Sequence, residues 1–285
     1  MNLRERVAAL EERTQPKPKR LLDHLKDWGG VGTLIVALLY TFPLGVWDRF
    51  YLTQQAREAA EVRALRDTAL ELARLDTEWA TRAGAIPTPD LQTMATRALG
   101  SQKVTLLTGK LAALEAHHNR LTAPELVMLA FSLAQMNQPA LTAQLYDTAL
   151  VKAQAAGNTG LAADILRLQA TTLLDREAPD LDQVRALYTE AVAQLSAVRT
   201  DAFVLQAAFT LHQWAQTELA KGDRACGSAL LGLARDRVAS LPAFLPGVAQ
   251  YQRQFAMPID RFPRPAGQPQ EGCPEEILQR LTPKR

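Results

Sequence analysis

The sequence predicts an all-α chain: an N-terminal transmembrane helix, then a long helix, then stacked helical hairpins. Three observations predict it. Ala and Leu dominate a chain of 285 residues that is 47% hydrophobic but only 6% aromatic, a helix-forming composition. The stretch "WGGVGTLIVALLYTFPLGVW", Trp28 to Trp47, carries no charge in twenty positions. Beyond it, helical periodicities alternate with turn signals, and no strand-like alternation of any length appears.

Residues 1–27 read as a cytoplasmic segment. "MNLRERVAALEER" places Leu3, Val7 and Leu10 on one helical face, and "TQPKPKR" breaks that helix and forms a basic collar. Residues 28–47 are the expected transmembrane helix. Twenty helical residues at about 1.5 Å each span roughly the 30 Å hydrocarbon core, and Trp28 and Trp47 sit where amphipathic rings prefer the headgroups. Pro43 is expected to kink or end this helix. A cleaved signal would need a shorter apolar run and a small-x-small site, which "DRFYLT" lacks. A buried helix of a soluble domain would need a polar face. Five Lys/Arg flank the run on the N-terminal side (residues 13–27) and two on the other (residues 48–62). That asymmetry places the N-terminus in the cytoplasm and the remaining chain outside it, in a bacterium the periplasm, with the bilayer as the partner of residues 28–47.

Residues 48–84 read as a membrane-proximal long helix. Glu71/Arg74 and Glu78/Arg82 lace its exposed side, while Val62, Leu65, Ala69, Leu72, Asp76 and Trp79 share the other face. That face either packs on the chain's next helices or pairs with a second copy as a homo-oligomeric stalk, which Asp76 would weaken. Gly29 and Thr33 form a small-xxx-small pair that would support association within the bilayer.

Residues 85–240 read as helical hairpins. Thr88–Pro89, Thr122 with Glu125, Asp180 and Asp223 are helix starts, and Gly157 and Gly222 are stops. The expected pairs are 123–136 with 139–156, 160–175 with 181–198, and 201–221 with 224–240. "LYDTAL" (Leu145–Leu150) and "LYTEAV" (Leu187–Val192) recur 42 residues apart, with "LLGLAR" (Leu230–Arg235) as a degenerate third copy. Residues 241–285 form a Pro-rich tail carrying Phe244, Tyr251, Phe255 and Phe262. It is expected to fold back as a cap, or else to serve as a partner-binding arm, and "PEEILQRL" is a short final helix.

The aromatic followed by Ala three residues later, Tyr146/Ala149 and Tyr188/Ala191, resembles the tetratricopeptide repeat. Leu126, Leu129 and Ala130 match its first helix. The period of 42–43, Ala130 in place of the family's Gly, and the missing closing Pro depart from that pattern. The resemblance implies a solenoid whose groove takes protein or peptide segments. The layout also resembles bacterial inner-membrane proteins with one anchor and a periplasmic repeat domain, such as ancillary factors of the secretion translocon and apocytochrome-binding subunits of cytochrome c maturation. It implies a scaffold assisting assembly or chaperoning of exported proteins. The alternative is a single-pass sensor that binds a ligand in its exported domain.

Chemistry is sparse. The formal charge is +2, and residues 48–285 hold equal numbers of basic and acidic groups, which argues against nucleic acid as a partner. Cys226 and Cys273 are the only cysteines, an even count that invites a disulfide in an oxidising compartment or leaves two thiols. The bond would close a loop worth roughly 3–4 kcal/mol. His24, His117, His118 and His212 show no chelating spacing, so no metal is expected, and His212 beside Trp214 reads as a packed or rim histidine. No nucleophile elbow, phosphate loop or dinucleotide fingerprint occurs, so neither a cofactor nor an enzymatic activity is expected.

Overall fold

The computed structural model describes residues 21–83, 86, 88–174, 178–245, 247–256 and 271–281, with backbone alone for 21–50 and 89. Every element among them is helical. The chain divides into two compact units, residues 1–60 and 61–285.

Helix α1 spans Leu21–Ala83. It begins before Trp28 and continues through Pro43, where the sequence expected a kink or an end, so the second alternative does not hold. One missing N–H costs about 3 kcal/mol, which long helical flanks can absorb. The side chains of Trp28–Trp47, including the Gly29/Thr33 pair, lie outside the described residues, as does that of His24. Among the described residues, no helix is long and apolar enough to cross a membrane.

In the second unit, the apolar face of α1 packs on the chain itself. Val62, Leu65, Ala69 and Leu72 are buried with Leu107, Leu114 and Leu126 in one core cluster. Burying each large aliphatic side chain stabilises by about 1.5–3 kcal/mol. Asp76, the polar member of that face, is neutralised in place: Lys103 Nζ lies 2.5 Å from its Oδ1. Lys103 is itself buried and also donates to Gln135 Oε1 at 3.2 Å. On the exposed flank Arg74 pairs with both Glu71 and Glu78.

Helix α2 (Pro89–Thr108) starts at the Thr88 cap, and α3 (Leu111–His117) leads through a short turn to the hairpins. These are α4 (Ala123–Gln135) with α5 (Pro139–Ala155), α6 (Thr159–Leu174) with α7 (Leu181–Ser196), and α8 (Asp201–Lys221) with α9 (Arg224–Ala239). Each pair packs on itself, and α5 on α6 and α7 on α8 join the pairs into a stack. The local signals act as chemistry requires. Glu125 Oε2 accepts the Thr122 N–H at 2.6 Å, closing the capping box. Asp180 Oδ1 accepts two N–H groups at 3.1 Å. Gly157 turns the α5–α6 corner at φ 65°, a region costly for any residue with a Cβ.

The recurring hexapeptides occupy equivalent places. Tyr146, Tyr188 and Leu231 are buried, as are Ala149, Ala191 and Ala234. A large group and a methyl, three residues apart on each second helix, fill the interior of the stack. At the last pair, α8 and α9 approach closely. A Cβ on Gly227 would lie 2.8 Å from Leu219 Cγ and 3.0 Å from Ala215 O.

The tail returns to the second and last hairpins. Helix α10 (Val248–Phe255) packs on α9 and α8, and α11 (Glu275–Leu281) packs on α7. Phe255 and Leu281 are buried, whereas Phe244 is exposed. Phe262 lies outside the described residues.

Candidate functional site

The second unit offers one partly exposed strip that crosses successive elements. On α6, Arg167 donates to Gln213 of α8 at 2.7 Å and lies 5.5 Å from the Phe209 ring centroid. Tyr251 of α10 meets the same ring edge-on at 5.8 Å. Gln206 of α8 donates to Gly160 O at 3.1 Å, and Gln169 of α6 reaches back to Asp147 of α5 at 2.9 Å. Arg167, Gln169, Phe209, Gln213 and Tyr251 are all half-buried. Half-buried aromatic, guanidinium and amide groups on rigid helices can take apolar and hydrogen-bonding groups of a polypeptide together.

A buried polar network joins α7, α8 and the start of α9. Glu218 is 1% exposed. Its two oxygens accept Arg185 Nε and Nη2 at 2.8 and 2.9 Å. Oε1 also accepts Trp214 Nε1 at 3.1 Å, and Oε2 the Asp223 N–H at 2.8 Å. The pair raises the Arg185 pKa through its hydrogen bond to Glu218, against burial. The Trp214 ring stacks on Tyr188 at 5.7 Å and 6°. A Cβ on Gly222 would fall 2.1 Å from Glu218 Oε2, so the helix stop also leaves room for the carboxylate.

Asp223 carries this network into the tail. It accepts the Cys226 N–H at 2.7 Å and the Gly272 N–H at 3.1 Å. Burial works to raise its pKa, yet backbone N–H groups of Cys226, Gly272, Glu271 and Ala225 together hold it below the usual value. Cys226 and Cys273 are joined here, their sulfurs 1.94 Å apart. Three contacts therefore converge on one point: the α9 cap, the Asp223–Gly272 hydrogen bond and the disulfide.

The other residues singled out in the sequence are structural in their surroundings. Tyr146, Ala149, Tyr188 and Ala191 face the interior, and burial pushes the Tyr146 hydroxyl up to about 12. His117 Nε2 lies 2.9 Å from Glu61 Oε2, and His118 contacts Glu115 O and Gln144. His212 stacks on Phe255 at 4.2 Å. Burial first, and the Arg235 charge second, push its pKa down to about 4. Among the described residues no group of three or more His, Cys, Asp or Glu could hold a metal.

Glu218 was not among the residues singled out in the sequence, yet it is fully buried and paired. Its signal was present but faint: Trp214 and Glu218 stand four apart on one helix, ahead of a glycine stop. Nothing in the sequence placed Arg185 opposite them. Comparison with protein-family models, curated proteins and solved structures found no match.

Proposed function

We propose that the chain is a membrane-anchored interaction scaffold: an inner-membrane protein, N-terminus in the cytoplasm, whose periplasmic helical-hairpin array recruits other proteins or peptide segments. Its task is to assist assembly or chaperoning of exported proteins. The observation that carries this is the stack of hairpin pairs with the half-exposed Arg167–Phe209–Tyr251 strip running across α6, α8 and α10. The equivalent placement of Tyr146 and Tyr188, with Ala149 and Ala191, favours a tetratricopeptide-like array. The anchor is supported by the charge-free run Trp28–Trp47 and the five-to-two Lys/Arg asymmetry around it. Anchoring raises the local concentration of the strip for clients emerging at the same membrane.

The first test is protease accessibility of the hairpin array. Cleavage in spheroplasts but not in intact cells supports the orientation, and protection until lysis refutes it. The second is site-specific photocrosslinking from Phe209 and Tyr251. Capture of exported clients is expected there, against none from the exposed Leu70 on α1. Equal capture from both positions refutes the strip.

A further inference from the structure

A second site lies away from the strip, between the α7–α8 turn, the last turn of α9 and the tail helix α11. The cleft there has a volume of about 960 Å³, within the size range of small-molecule pockets. Its walls carry three guanidiniums, Arg199, Arg237 and Arg280, against two carboxylates, Asp201 and Glu276. Leu195, Val198 and Val204 supply an apolar floor.

Arg237 is the anomaly. Its Nη1 donates to Ser196 Oγ at 2.9 Å and its Nη2 to Leu281 O at 2.6 Å, both neutral acceptors. Burial alone pushes its pKa down, and among the described residues no carboxylate is paired with it. Another part-buried guanidinium on a second helix is different: Arg185 on α7 has Glu218. A partly buried guanidinium held by neutral groups, lining a cleft with two further guanidiniums, is set up to form charge-assisted hydrogen bonds with an anion.

We infer that this cleft binds a carboxylate attached to an apolar body, with the carboxylate on Arg237 and the body on the Leu195–Val204 floor. The net excess of one positive charge matches a monoanion. Asp201 and Glu276 at the walls disfavour a phosphate dianion, whose second charge they would repel. Arg199 and Arg280, both exposed, draw the anion in and close over it. The site exists only with the tail docked, because α11 forms one wall and its Leu281 carbonyl positions Arg237. The site rests on none of the scaffold assignment: Arg237 and the strip residues share no contact.

The test is calorimetric titration of the full chain with 4-phenylbutanoate, its neutral alcohol 4-phenylbutanol, phenyl phosphate, and an N-acetylated tripeptide ending in Phe as free acid or amide. Binding of phenylbutanoate about tenfold tighter than the alcohol is expected. Tight binding of the peptide acid alone assigns the same site to polypeptide C-termini rather than free carboxylates. Arg237→Gln should abolish the preference for acid over neutral analogue. Because that change also loosens α11, the exposed pair Arg199→Gln and Arg280→Gln is made as well, expected to weaken the acid several-fold with folding intact. Three results overturn the inference: equal binding of acids and neutral analogues, tighter binding of phenyl phosphate, or unchanged acid binding in the Arg199/Arg280 double variant.

Discussion

Glu218→Ala is the most informative single change. It removes one carboxylate and takes the acceptor from three donors: the half-buried Arg185 guanidinium, which keeps only a 3.4 Å contact to the exposed Asp182, the Trp214 indole N–H and the Asp223 N–H. Breaking a buried ion pair from one side costs about 3–5 kcal/mol. Each orphaned neutral donor costs about 1–3 kcal/mol, though relaxation and water entry overlap these losses. Arg185 keeps 20% of its side-chain exposure, which lets some water reach it. The net expectation is therefore about 4 kcal/mol, a large share of the roughly 5–15 kcal/mol of a typical domain. Arg185→Met/Glu218→Leu removes both charges and should cost clearly less than Glu218→Ala, because no charge is left buried. The assay is urea unfolding of the full chain followed by far-UV circular dichroism, with Arg185→Met, Glu218→Leu and their double variant forming a cycle. A cost for Glu218→Ala below about 1 kcal/mol, or strictly additive effects, would refute the network as a coupled unit.

Other expectations are independent of that network. Reduction of Cys226–Cys273, or Cys226→Ala/Cys273→Ala, should lower stability by about 3–4 kcal/mol from the loop it closes, read as a drop in melting temperature with and without reductant. His212 stays neutral in the folded chain down to about 4, whereas the unfolded chain takes up its proton near 6.5. Stability should thus be full above about pH 6.5 and fall by about 3 kcal/mol as the pH drops to 4, and His212→Leu should flatten this part of the profile in urea titrations at each pH. Gly227→Ala should destabilise by about 1–3 kcal/mol, since its methyl meets Leu219 and the Ala215 carbonyl. Gly232→Ala, on the same helix with open space around it, should stabilise by up to about 1 kcal/mol, so the two changes shift the melting temperature in opposite directions.

The hairpins were legible because local chemistry dictates them. Thr122 with Glu125, Asp180 and Gly222 act over three or four residues, so their partners are written beside them. The buried face of α1 was legible as a period, yet its partner was not: the same Val62–Leu72 spacing would suit a second copy or the chain's own Leu107 and Leu114. Long-range polar pairs were invisible for a similar reason. Lys103 finds Asp76, and Arg185 finds Glu218, across 27 and 33 residues. Each looks like an ordinary surface charge until the packing direction of its helix is known. Arg237 is the extreme case, since the neutral atoms that hold it, Ser196 Oγ and Leu281 O, carry no sequence signature.

In a stack whose units touch chiefly their neighbours, disorder enters from the ends, where a hairpin has one neighbour instead of two. Here both ends are closed. The near end is sealed by Leu65 and Leu72 of α1, and the far end by Phe255 of the tail, with a covalent stitch from Cys226 to Cys273. Fraying at the far end can open only as far as that stitch permits. The array then behaves less like a row of separable hairpins than like a zipper sewn at its last tooth, and amide exchange along α8 and α9 should be as slow as along α5 and α6 until the stitch is cut.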